Sequence, residues 1–252
     1  MDGAVRHMLA LSLIETQGAE PVRVASDGER WALAIVIPGR LLVPCGDPEI
    51  ISQLVAPSRR WRLMVGDAAA CHAMLAVSPP AGPNIVHEQR FMTVDARRVP
   101  TEADLPDPGL RQAEMRDVDR LADLAVTLHV DDRFGPHPGE LGWRGYRQRL
   151  ASNVRRGLIW CVGPPGAPEC KVERSVSSRQ WGVQLSGIVV DPAARYRRLG
   201  RSAVAAAVRE ARAESPAAPI SLHVRSDNER AIAAYRAAGF VDREAWILAV
   251  KP

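Results

Sequence analysis

Short runs of Val, Ile and Leu, broken by Pro and Gly, alternate with helical patterns along the first hundred residues. Such runs predict buried strands, whereas apolar residues spaced three and four apart predict helices. After an opening amphipathic helix we predict helices in PEIISQLVA and AAACHAMLA, and strands in PVRVAS, RWALAIVIPG, RLLVPCG, WRLMVGD and HEQRFMTVDA. Asp47 followed by Pro48 is typical of a helix start. Residues 1–100 therefore predict a smaller α/β module, whose chemistry the sequence does not disclose.

The polar stretch RRVPTEADLPDPGL predicts a linker, and the hydrophobic pattern restarts beyond it. We predict helices in DVDRLADLAVTLHVDD and GELGWRGYRQRLASNVRRG, in an alanine-rich stretch beginning near Ser202, and in RSDNERAIAAYRAAGF with Ser226 or Asp227 as its N-cap. We predict strands in LRQAEM, LIWCVG, CKVERSVSS, WGVQLSGIVV, PISLHV and VDREAWILAV. Residues 106–252 thus form a second α/β module.

Composition narrows the class of protein. With 252 residues, 46% of them hydrophobic, the chain can bury two cores. It has no apolar run of the roughly 20 residues that a membrane helix needs, and the opening helix is interrupted by charge, so we expect a cytoplasmic protein without a membrane partner. The four cysteines lack metal-ligand spacing, which predicts buried free thiols and no metal site.

The net charge of +4 suits a ligand with several phosphates as well as it suits nucleic acid. Because no basic run is interleaved with aromatic residues, nucleic acid is the less favoured partner.

One segment predicts a phosphate site. The apolar strand LSGIVV leads through DPAARYRRLG into the alanine-rich helix, so the free amides and positive dipole end of that helix lie beside the end of the strand. Gly200 allows the backbone to approach a ligand closely, and the small Ser202 keeps the helix start open. ATP and NAD are disfavoured, because the Walker lysine and the three-glycine fingerprint are missing.

Two segments in this order resemble the GCN5-related N-acetyltransferases (GNAT). In that family a Val-x-Pro is followed by Arg/Gln-x-x-Gly-x-Gly/Ala, and a later helix carries Asn, Ala-Ile, Tyr and Gly-Phe. The matching residues here are Val190, Pro192, Arg197, Gly200, Ser202, Asn228, Ala231, Ile232, Tyr235, Gly239 and Phe240. The sequence departs from the pattern at Ser202, where the family prefers Gly or Ala, and at Arg198, where a further glycine is common.

The resemblance implies a GNAT fold, an α/β (α+β) domain with a mixed, mostly antiparallel sheet flanked by helices. It also suggests a two-domain bacterial type whose amino-terminal α/β module has no assigned function. Whether that module is a degenerate GNAT-like half stays open. The implied activity is transfer of an acetyl group from acetyl-CoA to the amine of a small molecule or protein. Whether the protein forms a homodimer stays open.

The resemblance also implies roles for residues. The strand residues would pair with the pantetheine arm, the loop amides would hold the diphosphate, and Asn228 would support the cofactor or cap its helix. The implied cofactor-binding residues are Ile188, Val189, Val190, Arg197, Arg198, Leu199, Gly200, Arg201, Ser202 and Asn228.

Tyr235 would protonate the departing thiolate. Asp131 and Asp132 lie where the family often places acids that contact the acceptor, although a pair of solvated surface carboxylates is the more common interpretation of such residues. Glu114 on the first strand of this module is another candidate base, and we expect His223 to be a packed strand residue.

Two other functions fit the same residues. The protein could be a non-catalytic CoA-binding regulator, or an aminoacyl transferase of related fold that takes its donor from charged tRNA. The latter predicts tRNA binding with strong salt dependence.

Overall fold

The computed structural model describes residues 3–54, 61–77, 79 and 84–251. The chain divides into two compact units, each made of segments that are discontinuous in sequence. The first consists of Met1–Phe91, His223–Asp227 and Arg243–Pro252, and the second consists of Met92–Leu222 and Asn228–Asp242. The module boundaries at residues 100 and 106 stay a prediction.

The helices and strands alternate as the hydrophobic pattern predicts. The helices are α1 (Gly3–Arg6), α2 (Met8–Gln17), α3 (Pro48–Ile51), α4 (Ala68–Val77), α5 (Val118–Asp131), α6 (Gly139–Arg155), α7 (Leu199–Glu214) and α8 (Glu229–Ala237). The strands are β1 (Val22–Ser26), β2 (Trp31–Ile37), β3 (Leu41–Gly46), β4 (Leu63–Asp67), β5 (Ile85–Val94), β6 (Arg111–Gln112), β7 (Ile159–Val162), β8 (Cys170–Ser178), β9 (Gly182–Val190), β10 (Ile220–Arg225) and β11 (Phe240–Val250).

In the first unit, strands β1, β2 and β3 form an antiparallel meander. Strand β4 pairs parallel to β3 through Leu41↔Leu63 and Leu42↔Met64, and the last part of β11 pairs antiparallel with β4. Apolar side chains of β2, β3, α3 and α4 pack into one core. Asp47 caps α3 as predicted. Residues 55 and 56, the end of the helix predicted in PEIISQLVA, lie outside the described residues.

In the second unit, strands β6, β7, β8 and β9 are antiparallel neighbours, and β10 pairs parallel to β9. Helices α5 and α6 pack through Leu121, Leu124 and Leu150 into a core with β7 and β9. Both units therefore have the mixed, mostly antiparallel sheet flanked by helices that the resemblance implies.

The first strand of the second unit is shorter than LRQAEM predicts. Pairing covers only Arg111 and Gln112, because Glu114 opens a 3-10 helix, Met115–Asp117, through a capping box. The buried Asp117 carboxylate accepts two hydrogen bonds from Arg111 and one from the Gly166 amide. These contacts lower the pKa of Asp117 to about 2, against the burial that would raise it.

The predicted linker packs within the second unit. Arg209 of α7 donates hydrogen bonds to the carbonyls of Pro100 and Leu105, at 3.4 and 3.1 Å. The Asp95 amide donates to the Gly239 carbonyl at 3.0 Å. This segment is therefore anchored to the second unit.

The four cysteines are free and buried, as predicted. Within the described ranges no helix has the length and apolar character needed to cross a membrane. Across the same ranges, His, Cys, Asp and Glu form no group of three or more suited to a metal ion.

Candidate active site

The parallel strands β9 and β10 are paired over only part of their length. Their pairing runs from Val183↔Ile220 to Leu185↔Leu222 and ends there. Strand β9 continues to Val190, paired through this second half with β8. Ser186, although it lies in the middle of an interior strand, is only half-buried. The predicted residues Ile188, Val189 and Val190 lie on this second half, where the backbone edge turned away from β8 is suited to an added extended chain.

A β-bulge at Gly187 marks the point of separation. Glu173 pairs with Ser186 and Lys171 with Val189, so β9 carries one more residue than β8 here. Gly187 has φ +55°, and a Cβ on it would lie 2.6 Å from Oε1 of Glu173. Glycine is therefore required at this position. Since a bulge leaves its extra residue outside the ladder, it frees backbone hydrogen-bonding groups at this point.

Helix α7 begins at Leu199, three residues before the predicted start near Ser202. The preceding residue, Arg198, is in the left-handed conformation with φ +61°, and no side chain caps the helix. The Ser202 amide donates to the Arg198 carbonyl at 3.3 Å, whereas the amides of Arg197 through Arg201 have no acceptor among the described residues. The start of α7 therefore presents a run of free donors, as an anion site requires.

The geometry around these amides fits a diphosphate. A Cβ on Gly200 would lie 3.3 Å from Cγ2 of Val190, so the helix start lies against the end of β9. The buried Nε of Arg201 has no hydrogen-bond partner within the part of the chain that the structure describes. A buried donor without a partner is a group that a bound ligand could satisfy. These residues fit the diphosphate of CoA.

Tyr235 lies on α8 and is buried, with 8% of its surface exposed. Its hydroxyl has no hydrogen-bond partner among the described residues. Burial, with smaller contributions from Asp132 and Cys170, raises the pKa of this phenol well above its usual value. The group therefore keeps its proton at neutral pH.

The two aspartates predicted to face an acceptor lie at the end of α5. Asp131 forms an ion pair of 2.5 Å with Arg195, in the segment that leads to α7. The Asp132 amide donates to the Leu128 carbonyl at 2.8 Å, and the charge of its carboxylate acts on Tyr235. The structure thus brings Asp132 toward the tyrosine, while Asp131 is tied to Arg195.

Asn228, and neither Ser226 nor Asp227, is the N-cap of α8. Its Oδ1 accepts a hydrogen bond from the Ala231 amide at 3.1 Å. That oxygen is committed to the helix, which leaves the side-chain NH₂ group for a ligand.

The other candidate base, Glu114, is an exposed cap residue that pairs with Arg116 and is not on a strand. His223 stacks on Trp246 with ring centroids 4.3 Å apart, in the first unit. Burial lowers its pKa to about 3, so it is a neutral packed residue, as expected.

Sequence reasoning missed a buried charge cluster behind the bulge. Lys171 contacts Glu173, and Arg149 of α6 donates to the same carboxylate at 2.5 and 3.2 Å. Burial would raise the pKa of Glu173, but the charges of Lys171 and Arg149 lower it to about 2. The sequence did contain a signal for this cluster. Lys171 and Glu173 lie two residues apart on an otherwise apolar strand, and two charges on one face of a buried strand need partners.

Comparison with known proteins agrees with this geometry. Residues 150–240 match the model of the family described as "Acetyltransferase (GNAT) family". No curated protein matches the chain.

Solved structures match over nearly the whole chain. A Novosphingobium aromaticivorans protein assigned to the GNAT acetyltransferases is 20% identical with a TM-score of 0.60, and the match covers 100% of both chains. A GCN5-related N-acetyltransferase from Kribbella flavida is 12% identical with a TM-score of 0.57, covering 97% of this chain and 95% of that one. A tandem GNAT protein from the clavulanic acid biosynthesis pathway is 13% identical with a TM-score of 0.53, covering 99% and 95%.

At these identities the structural matches establish the fold, and the tandem protein agrees with an arrangement of two GNAT-like modules. The family model identifies the part of the chain that contains β8, β9, α7, β10 and α8. Residues 150–240 of this chain therefore match the acetyltransferase (GNAT) family, and the chain has the fold of the solved GNAT structures.

Proposed function

We propose that the protein is an N-acetyltransferase that moves the acetyl group of acetyl-CoA to an amine of a small molecule or protein. One observation carries the proposal: β9 leaves β10 at the point where a bulge begins, and it ends against a helix start with free amides. An extended chain with a diphosphate at one end matches both features. Acetyl-CoA has that form and supplies the acetyl group as a thioester.

The chain's own residues then have distinct tasks. The amides of residues 197–201 and the guanidinium of Arg201 bind the diphosphate, and Ile188, Val189 and Val190 offer their backbone edge to the pantetheine arm. A backbone amide freed at the bulge, near Gly187, would donate to the carbonyl on which negative charge develops during attack.

The reaction forms a nitrogen–carbon bond and breaks a carbon–sulfur bond. The amine loses one proton and the departing sulfur gains one. Tyr235 is the proposed donor to the sulfur, because its hydroxyl is protonated at neutral pH and has no other partner in the described residues. Asp131 and Asp132 are the proposed acceptors of the amine's proton, directly or through water, and the charge of Asp132 acts on Tyr235.

The direct test measures acetyl transfer to a panel of primary amines, following both free thiol and N-acetylated product. We expect Tyr235→Phe to lower kcat about 100-fold while the Kd for acetyl-CoA stays within about twofold, since the phenol donates only in the transition state. Loss of binding in parallel with rate would indicate a structural role for Tyr235.

The same measurements separate the alternatives. A CoA-binding regulator would bind acetyl-CoA and form no product with any amine. A tRNA-dependent transferase would bind charged tRNA with a steep salt dependence and would show little affinity for CoA. The free amides and the family match of residues 150–240 favour the acetyl-CoA enzyme.

A further inference from the structure

A histidine near the end of α5 uses both of its ring nitrogens. Nε2 of His129 lies 2.9 Å from the carbonyl oxygen of Pro136, and Nδ1 lies 2.8 Å from the hydroxyl oxygen of Tyr146 on α6. Because a carbonyl only accepts hydrogen bonds, Nε2 carries the proton of the neutral ring, and Nδ1 accepts from the Tyr146 hydroxyl. The Pro136 carbonyl therefore fixes the tautomer that can take up a further proton at Nδ1.

The oxygen of Tyr146 is open to a hydrogen bond from a ligand. Tyr146 and His129 are both half-buried, and the described residues give the Tyr146 hydroxyl no hydrogen-bond partner besides His129. A hydroxyl that donates one hydrogen bond still has lone pairs with which to accept another. A hydroxyl, an imidazole and a third group that orients the imidazole form the arrangement by which proteins pass a proton to a histidine.

The pair is connected to the β-bulge through Arg149 of α6. The guanidinium carbon of Arg149 lies 5.9 Å from the centre of the Tyr146 ring, and the same guanidinium donates to Glu173 at 2.5 and 3.2 Å. Oε1 of Glu173 in turn lies 2.6 Å from the position of a Cβ on Gly187. The charges of Arg149 and Glu173 both act on the Tyr146 phenol. A continuous series of contacts thus joins Tyr146 to the bulge.

His129 is connected to the other end of the proposed site through its own helix. Asp132 follows His129 by three residues, so the two residues lie about one helical turn apart at the end of α5. The charge of Asp132 acts on Tyr235. The Tyr146–His129 pair is therefore linked both to the bulge and to the surroundings of the proposed thiol donor.

We infer that Tyr146 and His129 carry the proton away from the attacking amine. The inference rests on the proposed function, of which it specifies one step. As the amine nitrogen bonds to the acetyl carbon, its N–H bond breaks and that proton goes to the Tyr146 oxygen, while the hydroxyl proton moves to Nδ1 of His129. The electron pair of the carbon–sulfur bond leaves with the sulfur, which takes its proton from Tyr235. The His129 imidazolium then releases its proton to water, and Asp131 and Asp132 are acceptors further along this path.

The test measures kcat and KM with the amine of the panel that wild type acetylates fastest, and the Kd for acetyl-CoA by calorimetry. Tyr146→Phe, which keeps the ring and removes the hydroxyl, should lower kcat about 100-fold. His129→Gln should lower kcat by a similar factor, because an amide can donate to the Pro136 carbonyl and accept from Tyr146 but does not take up a proton. Both variants should keep the Kd for acetyl-CoA within about twofold of wild type.

Chemical rescue separates a proton acceptor from a structural link between α5 and α6. Added imidazole should raise the rate of His129→Ala at least about tenfold, and more basic imidazoles should raise it further, as general-base catalysis requires. His137→Gln is the matched control, because His137 is an exposed histidine between the same two helices, and its Nδ1 accepts a hydrogen bond from the Gly139 amide at 3.1 Å. This variant should keep the wild-type rate.

Three results would overturn the relay and leave the proposed function standing. They are wild-type rates in both Tyr146→Phe and His129→Gln, no rescue of a folded His129→Ala protein by imidazole, and loss of acetyl-CoA binding in parallel with rate. If wild type acetylates no amine of the panel, the proposed function fails and the relay fails with it.

Discussion

The two units each contain a parallel strand pair joined through a helix, and the two helix starts differ. In the first unit β3 leads into α3, and the Asp47 carboxylate accepts hydrogen bonds from the amides of Glu49 and Ile50 at 2.9 and 3.4 Å. In the second unit β9 leads to α7, whose first amides have no acceptor among the described residues. In the first unit the Asp47 carboxylate therefore occupies the amide donors of the helix start. In the second unit the corresponding donors are left for a ligand.

The helix that follows each parallel strand pair also differs between the two units. Tyr235 is the seventh residue of α8, and the seventh residue of α4 is Met74, which is fully buried and has no proton to donate. Topology alone therefore does not make a site. The residues at the two helix starts and on the following helix decide it, and we expect one functional acetyl-CoA site, in the second unit.

The largest expected effect comes from replacing the glycine of the β-bulge. Gly187→Val places a Cβ 2.6 Å from Oε1 of Glu173 and forces a β-branched residue to adopt φ +55°. We expect the free energy of unfolding to fall by about 3 kcal/mol and CoA binding to be lost. Chemical denaturation and calorimetry measure these changes.

Gly145→Ala is the control for that substitution, because a Cβ there meets nothing within 4 Å and the residue lies inside α6. It should stabilise the protein by about 0.5–1 kcal/mol. If Gly187→Val were as stable as wild type and still bound CoA, the bulge would have no role in the site.

A smaller effect is expected at the first helix start. Asp47→Ala removes the cap of α3 and should cost about 1 kcal/mol of stability, whereas Asp47→Asn should retain most of it. Neither variant should alter the Kd for CoA, because the hydrogen bonds that the Asp47 carboxylate accepts in the described residues come from amides of α3. A change in CoA affinity would show that the first unit takes part in binding.

The smallest effect is expected at Arg198. Replacing this left-handed residue by glycine removes its Cβ from an unfavourable conformation, so Arg198→Gly should stabilise the ligand-free protein by about 0.5–1 kcal/mol. Arg198→Ala keeps the Cβ and should give no such gain. Thermal denaturation of the three proteins distinguishes these outcomes, and equal stability of the glycine and alanine variants would remove the strain argument.

Much of the fold could be predicted from local sequence patterns. Runs of Val, Ile and Leu located the strands, and the order strand, arginine-rich loop, helix indicated the uncapped start of α7. The start of α7 was predicted three residues late, because the residue in the left-handed conformation is Arg198, where glycine would have signalled the boundary. The bulge at Gly187 and the Lys171–Glu173–Arg149 cluster depend on pairing between strands and on α6, which no local pattern encodes.

The central claim is that a single site at the start of α7 binds the diphosphate of CoA, and calorimetric stoichiometry tests it most directly. Wild type should bind one CoA per chain. Gly200→Val, which adds side-chain atoms 3.3 Å from Val190, should weaken that binding at least about tenfold while Asp47→Ala leaves it unchanged. Two bound CoA molecules per chain, or undiminished binding by Gly200→Val, would contradict the claim.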